Sequence, residues 1–463
     1  MTVKQCNLWF MVSALSAILS FSTLSLADKH VGTPIDTWQM GELPRTLIIA
    51  LDGVPYGAME ALYQQGNFHS FHPPSKMVST FPSMSDVAFT EIFELPPTDG
   101  YQQVYFSHKN NRLIGGLGSE MFELEEFEHH FDSILHTKRH LLMLYISSHR
   151  AAQKEMALLR KKLWSSNDKA EFYAYIAASD AIAHRFGPDG LRTYLLQLDK
   201  DLAKIQLEYR AKTGRDLNIV LLSDHGNTLI KGQLVDTNAE LIKRGLDPSK
   251  NIQNNKSVVS TVAGVVGYWA LYTQKESAGG IANSLLDMEG LDLIMYRHGD
   301  SSDVVIESPT GKAIIGFDET TNQGTYLAIH GDPLGYLPIF LDRTTPISQA
   351  EIFEKSKDST YPNAIYRIHR CFNGEVKNTA SVIVSLKPGY EFSSKIIKAA
   401  AIVGKRWGTH GSLHAADSLG IYMRTDTPTI DIAANKLGQL LPARQINTPS
   451  LAARNATTNH HVQ

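Results

Sequence analysis

The sequence predicts an α/β fold with a largely parallel sheet, on three observations. Three short apolar runs, RTLIIALDG at 45–53, EFYAYIAASD at 171–180 and NIVLLSDHG at 218–226, each run into an aspartate. Runs of this length with polar ends read as buried strands. Stretches of helical character alternate with them, and strand–helix alternation argues for parallel pairing. Open sheets of this kind bind ligands beyond the carboxyl ends of their strands, where Asp52, Asp180 and Asp224 each stand.

The elements follow in chain order. Lys4 precedes an apolar stretch that closes on Ser25-Leu26-Ala27, the pattern of a secretory signal peptide cut after Ala27. Cys6 goes with that leader, so Cys371 alone remains and no internal disulfide forms. A periplasmic or secreted location is expected. One large domain is expected over 28–445, with a tail at 446–463 that lacks apolar periodicity despite His460 and His461.

After the strand at 45–53 comes VSTFPSMSD, 78–86. The stretch from Met121 to Trp164 mixes Leu, Met and Ala with charges and holds neither Gly nor Pro, so it reads as helical. We expect a helical insertion at about 122–165 that caps the active site and selects the leaving group, with His129, His130, His136 and His140 on solvated faces. Residues 191–214 form an amphipathic pattern with a glycine stop. Residues 257–273 are interrupted by Ser, Thr and Gly and read as a buried strand or strand pair rather than a membrane span. DVVIESPTGKAIIGF, 303–317, reads as a hairpin.

A hydrophobic content of 43% and a charged content of 20% are those of a globular protein with a sizeable core. The formal charge of −3 gives no electrostatic case for nucleic acid, and no dense Lys/Arg run argues for a membrane surface. No transmembrane segment is expected once the leader is cut.

Asp224 and His225 offer a carboxylate beside an imidazole, which suits a turn or a metal site. Asp180 and His184 are spaced i, i+4 and share one helical face. His410 lies among Gly408, Thr409 and Gly411, where glycine lets the backbone approach a crowded centre. With Asp52 these make three carboxylates and three histidines, enough for two three-ligand sites open to substrate, as catalytic zinc requires. Thr80 precedes Phe81-Pro82, where proline fixes the turn that presents its hydroxyl. That hydroxyl becomes a nucleophile once a base or metal lowers its pKa. His414 reads as an outer partner of the ligands.

In the order DG, TFP, DxxxH, SDHG and GTHG, from about Arg45 to His410, the chain resembles the alkaline phosphatase superfamily, specifically its type I phosphodiesterase/nucleotide pyrophosphatase family. The resemblance implies an alkaline phosphatase-like fold, a central β-sheet between helical layers. It implies two Zn2+ ions: one on Asp180, His184 and His410 that activates water, one on Asp52, Asp224 and His225 that holds Thr80. Manganese or iron are other metals such ligands accept. The implied reaction is an in-line displacement through a phospho-threonine, on a small-molecule phosphate ester or diester, most of all a nucleotide-type diester. A phosphomonoesterase, a phosphotransferase, and a member that binds a phosphorylated ligand without turnover remain as alternatives.

The chain also departs from the family. The usual TFPN reads Thr80-Phe81-Pro82-Ser83. The downstream asparagine that contacts a phosphoryl oxygen has its candidates in Asn110 and Asn111, and Asn111 is taken for that role. The arginine with which monoesterases grip a dianion finds no clear match, Arg112 being the nearest in sequence. The sulfatase pattern CxPxR is absent.

Overall fold

The structure, a computed structural model, describes residues 43–115, 124–167, 169–262, 264–340, 345–393 and 407–441. The leader expected at 1–27 and the whole of the tail expected at 446–463, with His460 and His461, lie outside the described residues.

The central sheet has six strands: β1 (Thr46–Leu51), β2 (Ser75–Val78), β3 (Glu171–Ile176), β4 (Asn218–Ser223), β5 (Leu419–Arg424) and β6 (Ile432–Ala433). Their order is β6-β2-β5-β4-β1-β3. β1 pairs in parallel with both β3 and β4, and β2 with β6, whereas β5 runs antiparallel to its two neighbours. Each apolar run of the sequence therefore forms its strand, and the aspartates leave β1 and β4 on one edge.

Helices cover both faces, and the alternation within β1 shows why. Leu47, Ile49 and Leu51 point into one core, with residues of α3 (Ser148–Leu163) and α4 (Ala178–Thr213). Ile48 and Ala50 point into the other, with Phe89 and Ile92 of α1 (Ser85–Ile92) and with Phe127 and Phe131. Successive side chains of a strand alternate between faces, so a run apolar at every position must be covered on both.

A second sheet of nine strands was not foreseen in the sequence. Its pairings are antiparallel except at 247–249 with 257–259, and it includes the expected hairpin, Val304–Ser308 with Gly311–Asp318. Residues 257–273 form the strand pair Ser257–Thr261 and Tyr268–Tyr272 within it.

Residues 124–165 are not one helical face. A 3-10 turn at Glu126–His130 leads back onto the sheet, where Ser133 bridges to Ala174, and then α2 (Lys138–Ile146) and α3 follow. Three histidines expected in solvent are consequently enclosed. His130 stacks on Phe93 at 5.2 Å, His136 meets Glu128 at 2.7 Å, and His140 meets Glu155 at 2.7 Å. Only His129 of the four is exposed. No described helix is long and apolar enough to cross a membrane.

Candidate active site

The carboxyl ends of β1 to β4 converge, and the chain spends its polar residues there. β1 runs into Asp52 and β4 into Asp224-His225, while β3 leads into α4, whose first turn carries Asp180. His410 arrives on a loop pinned from both sides: Gly267 N–H donates to its carbonyl at 2.7 Å, and Thr228 N–H to that of Thr409 at 2.9 Å. Gly53, at φ 62°, sits where a Cβ would lie 2.5 Å from Asp180 Oδ1, so only glycine lets the end of β1 approach α4. α4 breaks at Gly187 (φ 65°, ψ −155°) before Pro188, and Trp407 N–H takes the His184 carbonyl at 2.8 Å.

Six side chains form two groups, Asp180 with His184 and His410, and Asp52 with Asp224 and His225; within each, one donor atom per residue lies within 4.8 Å of the others. Asp180 Oδ2 is 3.1 Å from His184 Nε2 and 4.0 Å from His410 Nε2. His225 Nε2 is 3.4 Å from Asp224 Oδ2 and 3.5 Å from Asp52 Oδ1. The rings of His225 and His410 stack at 4.1 Å, which ties the two groups together.

Each imidazole sets its Nδ1 against a main-chain carbonyl: His184 on Gly408 at 3.1 Å, His225 on Gly226 at 2.8 Å, His410 on Ser83 at 3.0 Å. A ring nitrogen facing a carbonyl carries a proton, so in each imidazole Nε2 is the atom that faces the carboxylates and, once deprotonated, can ligate a metal. The carboxylates are oriented too. Tyr175 donates its hydroxyl to Asp52 Oδ2, Gly53 N–H donates to Asp224 Oδ1 at 3.1 Å, and the Asn227 amide donates to Asp180 Oδ1 at 3.3 Å.

The electrostatics leave room for cations. Burial, then repulsion from Asp224 and Asp180, holds the Asp52 carboxyl well above the usual carboxylate range. Burial pushes Asp224 up to about 7, and its buried Oδ2 makes no hydrogen bond. Burial also raises Asp180, but the His184 and His410 charges outweigh it and hold that carboxyl low. His410 is pressed down to about 4 by burial and then by His225. An orphaned carboxylate oxygen beside imidazole Nε2 atoms is a donor set that suits a divalent ion of the zinc class.

The hydroxyl beside these groups belongs to Ser85, which the sequence reading missed. Ser85 Oγ donates to Asp52 Oδ1 at 3.1 Å and lies 3.3 Å from His225 Nε2. It is the first residue of α1, with Asp86 in the same turn. Thr80 is placed elsewhere: its hydroxyl donates to the Pro82 carbonyl at 3.0 Å, and Arg367 grips its own carbonyl at 2.8 Å. It lines a small cavity with Glu91, Asn363 and Arg370 instead of facing the ligands. The chain needs residues 79–84 to turn from β2 into α1, and only at the helix start does a side chain reach the carboxylates. A serine opening the helical run SDVAFTEI was the available signal.

Asn111 is likewise not at this site. It occupies an exposed turn at φ 46°, and its amide exchanges two hydrogen bonds with the Ile252 backbone, at 3.0 and 2.9 Å. Its left-handed conformation, which asparagine tolerates, accounts for the residue type. His414 holds the short helix Ala415–Ser418 by accepting from Ala416 N–H at 3.2 Å and touches no ligand.

A mixed α/β fold with two three-residue groups of candidate metal ligands at the carboxyl edge of its central sheet defines the class: a protein that offers divalent-ion sites at its strand ends. The model of the type I phosphodiesterase / nucleotide pyrophosphatase family matches residues 77–252, the segment that carries Ser85, Asp180, His184, Asp224 and His225. The likeness to that family therefore stands over this segment. Among solved structures, human ectonucleotide pyrophosphatase / phosphodiesterase 5 is similar at a TM-score of 0.47 and 10% identity, over 89% of this chain and 99% of that one. No curated protein matches the chain.

Proposed function

We propose that this chain is a two-metal phosphoric ester hydrolase acting on phosphodiesters, with Ser85 as nucleophile. The observation that carries the reading is the Ser85 hydroxyl between Asp52 and His225 at the start of α1. Asp180, His184 and His410 would hold one divalent ion, and Asp52, Asp224 and His225 the other. Zinc is the metal this donor set favours, with manganese as an alternative. Such ions, when bound, lower the pKa of coordinated oxygens and neutralise charge that builds on phosphorus.

The chain's own residues supply the rest. Ser85 Oγ loses its proton to solvent and attacks phosphorus in line, forming the Oγ–P bond as the bond to the leaving alkoxide breaks. The free N–H groups that open α1 favour negative charge at that oxygen. The alkoxide departs and takes a proton from solvent. Water then breaks the phospho-serine, releasing the phosphate monoester and restoring the hydroxyl. Tyr175 and Asn227 hold Asp52 and Asp180 in place throughout. A location outside the cytoplasm fits the leader read over residues 1–27.

The test compares kcat/KM for bis-p-nitrophenyl phosphate and p-nitrophenyl phosphate in the zinc-loaded mature chain, with Ser85→Ala and Thr80→Ala. The expected result is a diester preference, lost in Ser85→Ala and kept in Thr80→Ala. Loss in Thr80→Ala alone would return the nucleophile to Thr80. A monoester preference would replace the diesterase with a phosphomonoesterase.

A further inference from the structure

A helix leaves its first N–H groups without partners, and Ser, Thr, Asp or Asn usually caps them. α4, which carries Asp180 and His184, starts after Ala177, whose methyl cannot cap. The Ala178 N–H donates instead to Glu155 Oε2 at 3.1 Å, from the middle of α3. Glu155 is 3% exposed, and its other oxygen meets Nε2 of His140, 2% exposed on α2, at 2.7 Å. The rest of that buried face of α3 is Ser148, Ala151, Ala152, Met156, Leu159 and Leu163, so a carboxylate there stands in a core where leucine would pack. Buried carboxylates are costly unless their oxygens are hydrogen-bonded, and both oxygens of Glu155 are.

We infer that Glu155 is a positioning residue that caps α4 from the neighbouring helix, and that the His140–Glu155 pair thereby fixes where Asp180 and His184 stand. The next residue reinforces the link, since Ser179 Oγ donates to the Asp52 carbonyl at 2.7 Å. The helices between Lys138 and Leu163 thus do more than cover the sheet. They set the side chains of one ligand group, that of Asp180; the other is reached only through the Asp52 main chain, while the Asp52 side chain is oriented by Tyr175 and Ser85. The geometric part stands alone; its consequence for metal binding rests on the function proposed above.

The test uses the full mature chain with Glu155→Leu and Glu155→Gln. Glutamine retains an oxygen for the Ala178 N–H and an amide donor for the other tautomer of His140, so it should rescue. Hydrogen exchange of the metal-free protein is read first. Glu155→Leu should speed exchange of the amides of residues 178–181 about tenfold, the worth of a lost cap, and Glu155→Gln should not. Zinc titration is read second, in two backgrounds that each keep one ligand group. With Asp224→Asn, Glu155→Leu should weaken zinc binding about tenfold. With Asp180→Asn it should leave binding unchanged. Should Glu155→Leu fail to fold, Glu155→Asp keeps the charge but falls one methylene short of Ala178, and the same exchange and zinc results are expected. Unchanged exchange, or equal zinc loss in both backgrounds, overturns the proposal. Faster exchange with no zinc bound in either background sustains the positioning role and sinks the two-metal reading.

Discussion

Asp224→Asn should make the metal-free chain more stable at pH 8 while destroying its second metal site. The Asp224 carboxyl is fully buried, lifted by burial from 3.8 to about 7, and one of its oxygens lacks a hydrogen bond. A carboxyl whose folded pKa exceeds its unfolded value contributes its full stability below the unfolded value and loses it as pH rises through the folded one. For Asp224 that loss runs from about pH 4 to about pH 7 and is complete at pH 8. At about 1.4 kcal/mol per pKa unit, it amounts to about 4 kcal/mol at most, because the Asp52 carboxyl titrates alongside it. Asparagine retains an oxygen for the Gly53 N–H and carries no charge. Both chains have the same histidines, so their difference isolates Asp224. Thermal unfolding with a chelator should place the variant on the order of 5 °C above the parent at pH 8, with the gap narrowing below pH 7 and closing near pH 4. Added zinc should reverse the order, because only the parent keeps the full ligand set. A variant that melts below the parent in chelator at pH 8 would refute the reasoning, since the carboxylate would then be satisfied without a cation.

Other outcomes follow from single contacts. Ser85→Ala should lower kcat for the diester by at least about a thousandfold, the scale of a lost nucleophile, with no phosphorylated enzyme trapped by acid quench. Tyr175→Phe removes the donor to Asp52 and should weaken zinc at the Asp52 group about tenfold by calorimetry, with little change in fold. Gly53→Ala puts a methyl against Asp180 Oδ1 and should abolish zinc binding at the Asp180 group, or folding itself. Asn111→Ala should leave kcat/KM unchanged and cost about 1–2 kcal/mol in chemical denaturation, from a strained turn and two lost hydrogen bonds.

What the sequence disclosed depended on how local the cause was. The strands of the central sheet were legible because a run buried on both faces is apolar at every position, as in Thr46–Leu51. The grouping of the six candidate ligands was legible because strand ends and an i, i+4 spacing place them with no knowledge of distant contacts. The hydroxyl beside them was not, because the difference between Thr80 and Ser85 depends on where a loop ends and α1 begins. Asn111 was misread for a related reason: its role is a contact with Ile252, far along the chain. The nine-stranded sheet is built from antiparallel pairings whose register is set by turns and long-range partners. The enclosed His140 and Glu155 needed two helices folded against each other before either could be placed.

The main-chain carbonyls that hold the three imidazoles have an evolutionary consequence. Gly408, Gly226 and Ser83 offer backbone oxygens, which no point substitution can delete. The tautomer of each histidine is therefore insulated from sequence drift so long as the backbone keeps its path. Two of the carboxylates enjoy no such protection, since Tyr175 and Asn227 orient Asp52 and Asp180 through side chains, whereas a main-chain N–H holds Asp224. Divergence of metal preference among descendants of this chain should accumulate around Asp52 and Asp180, while the histidine frame stays as it is.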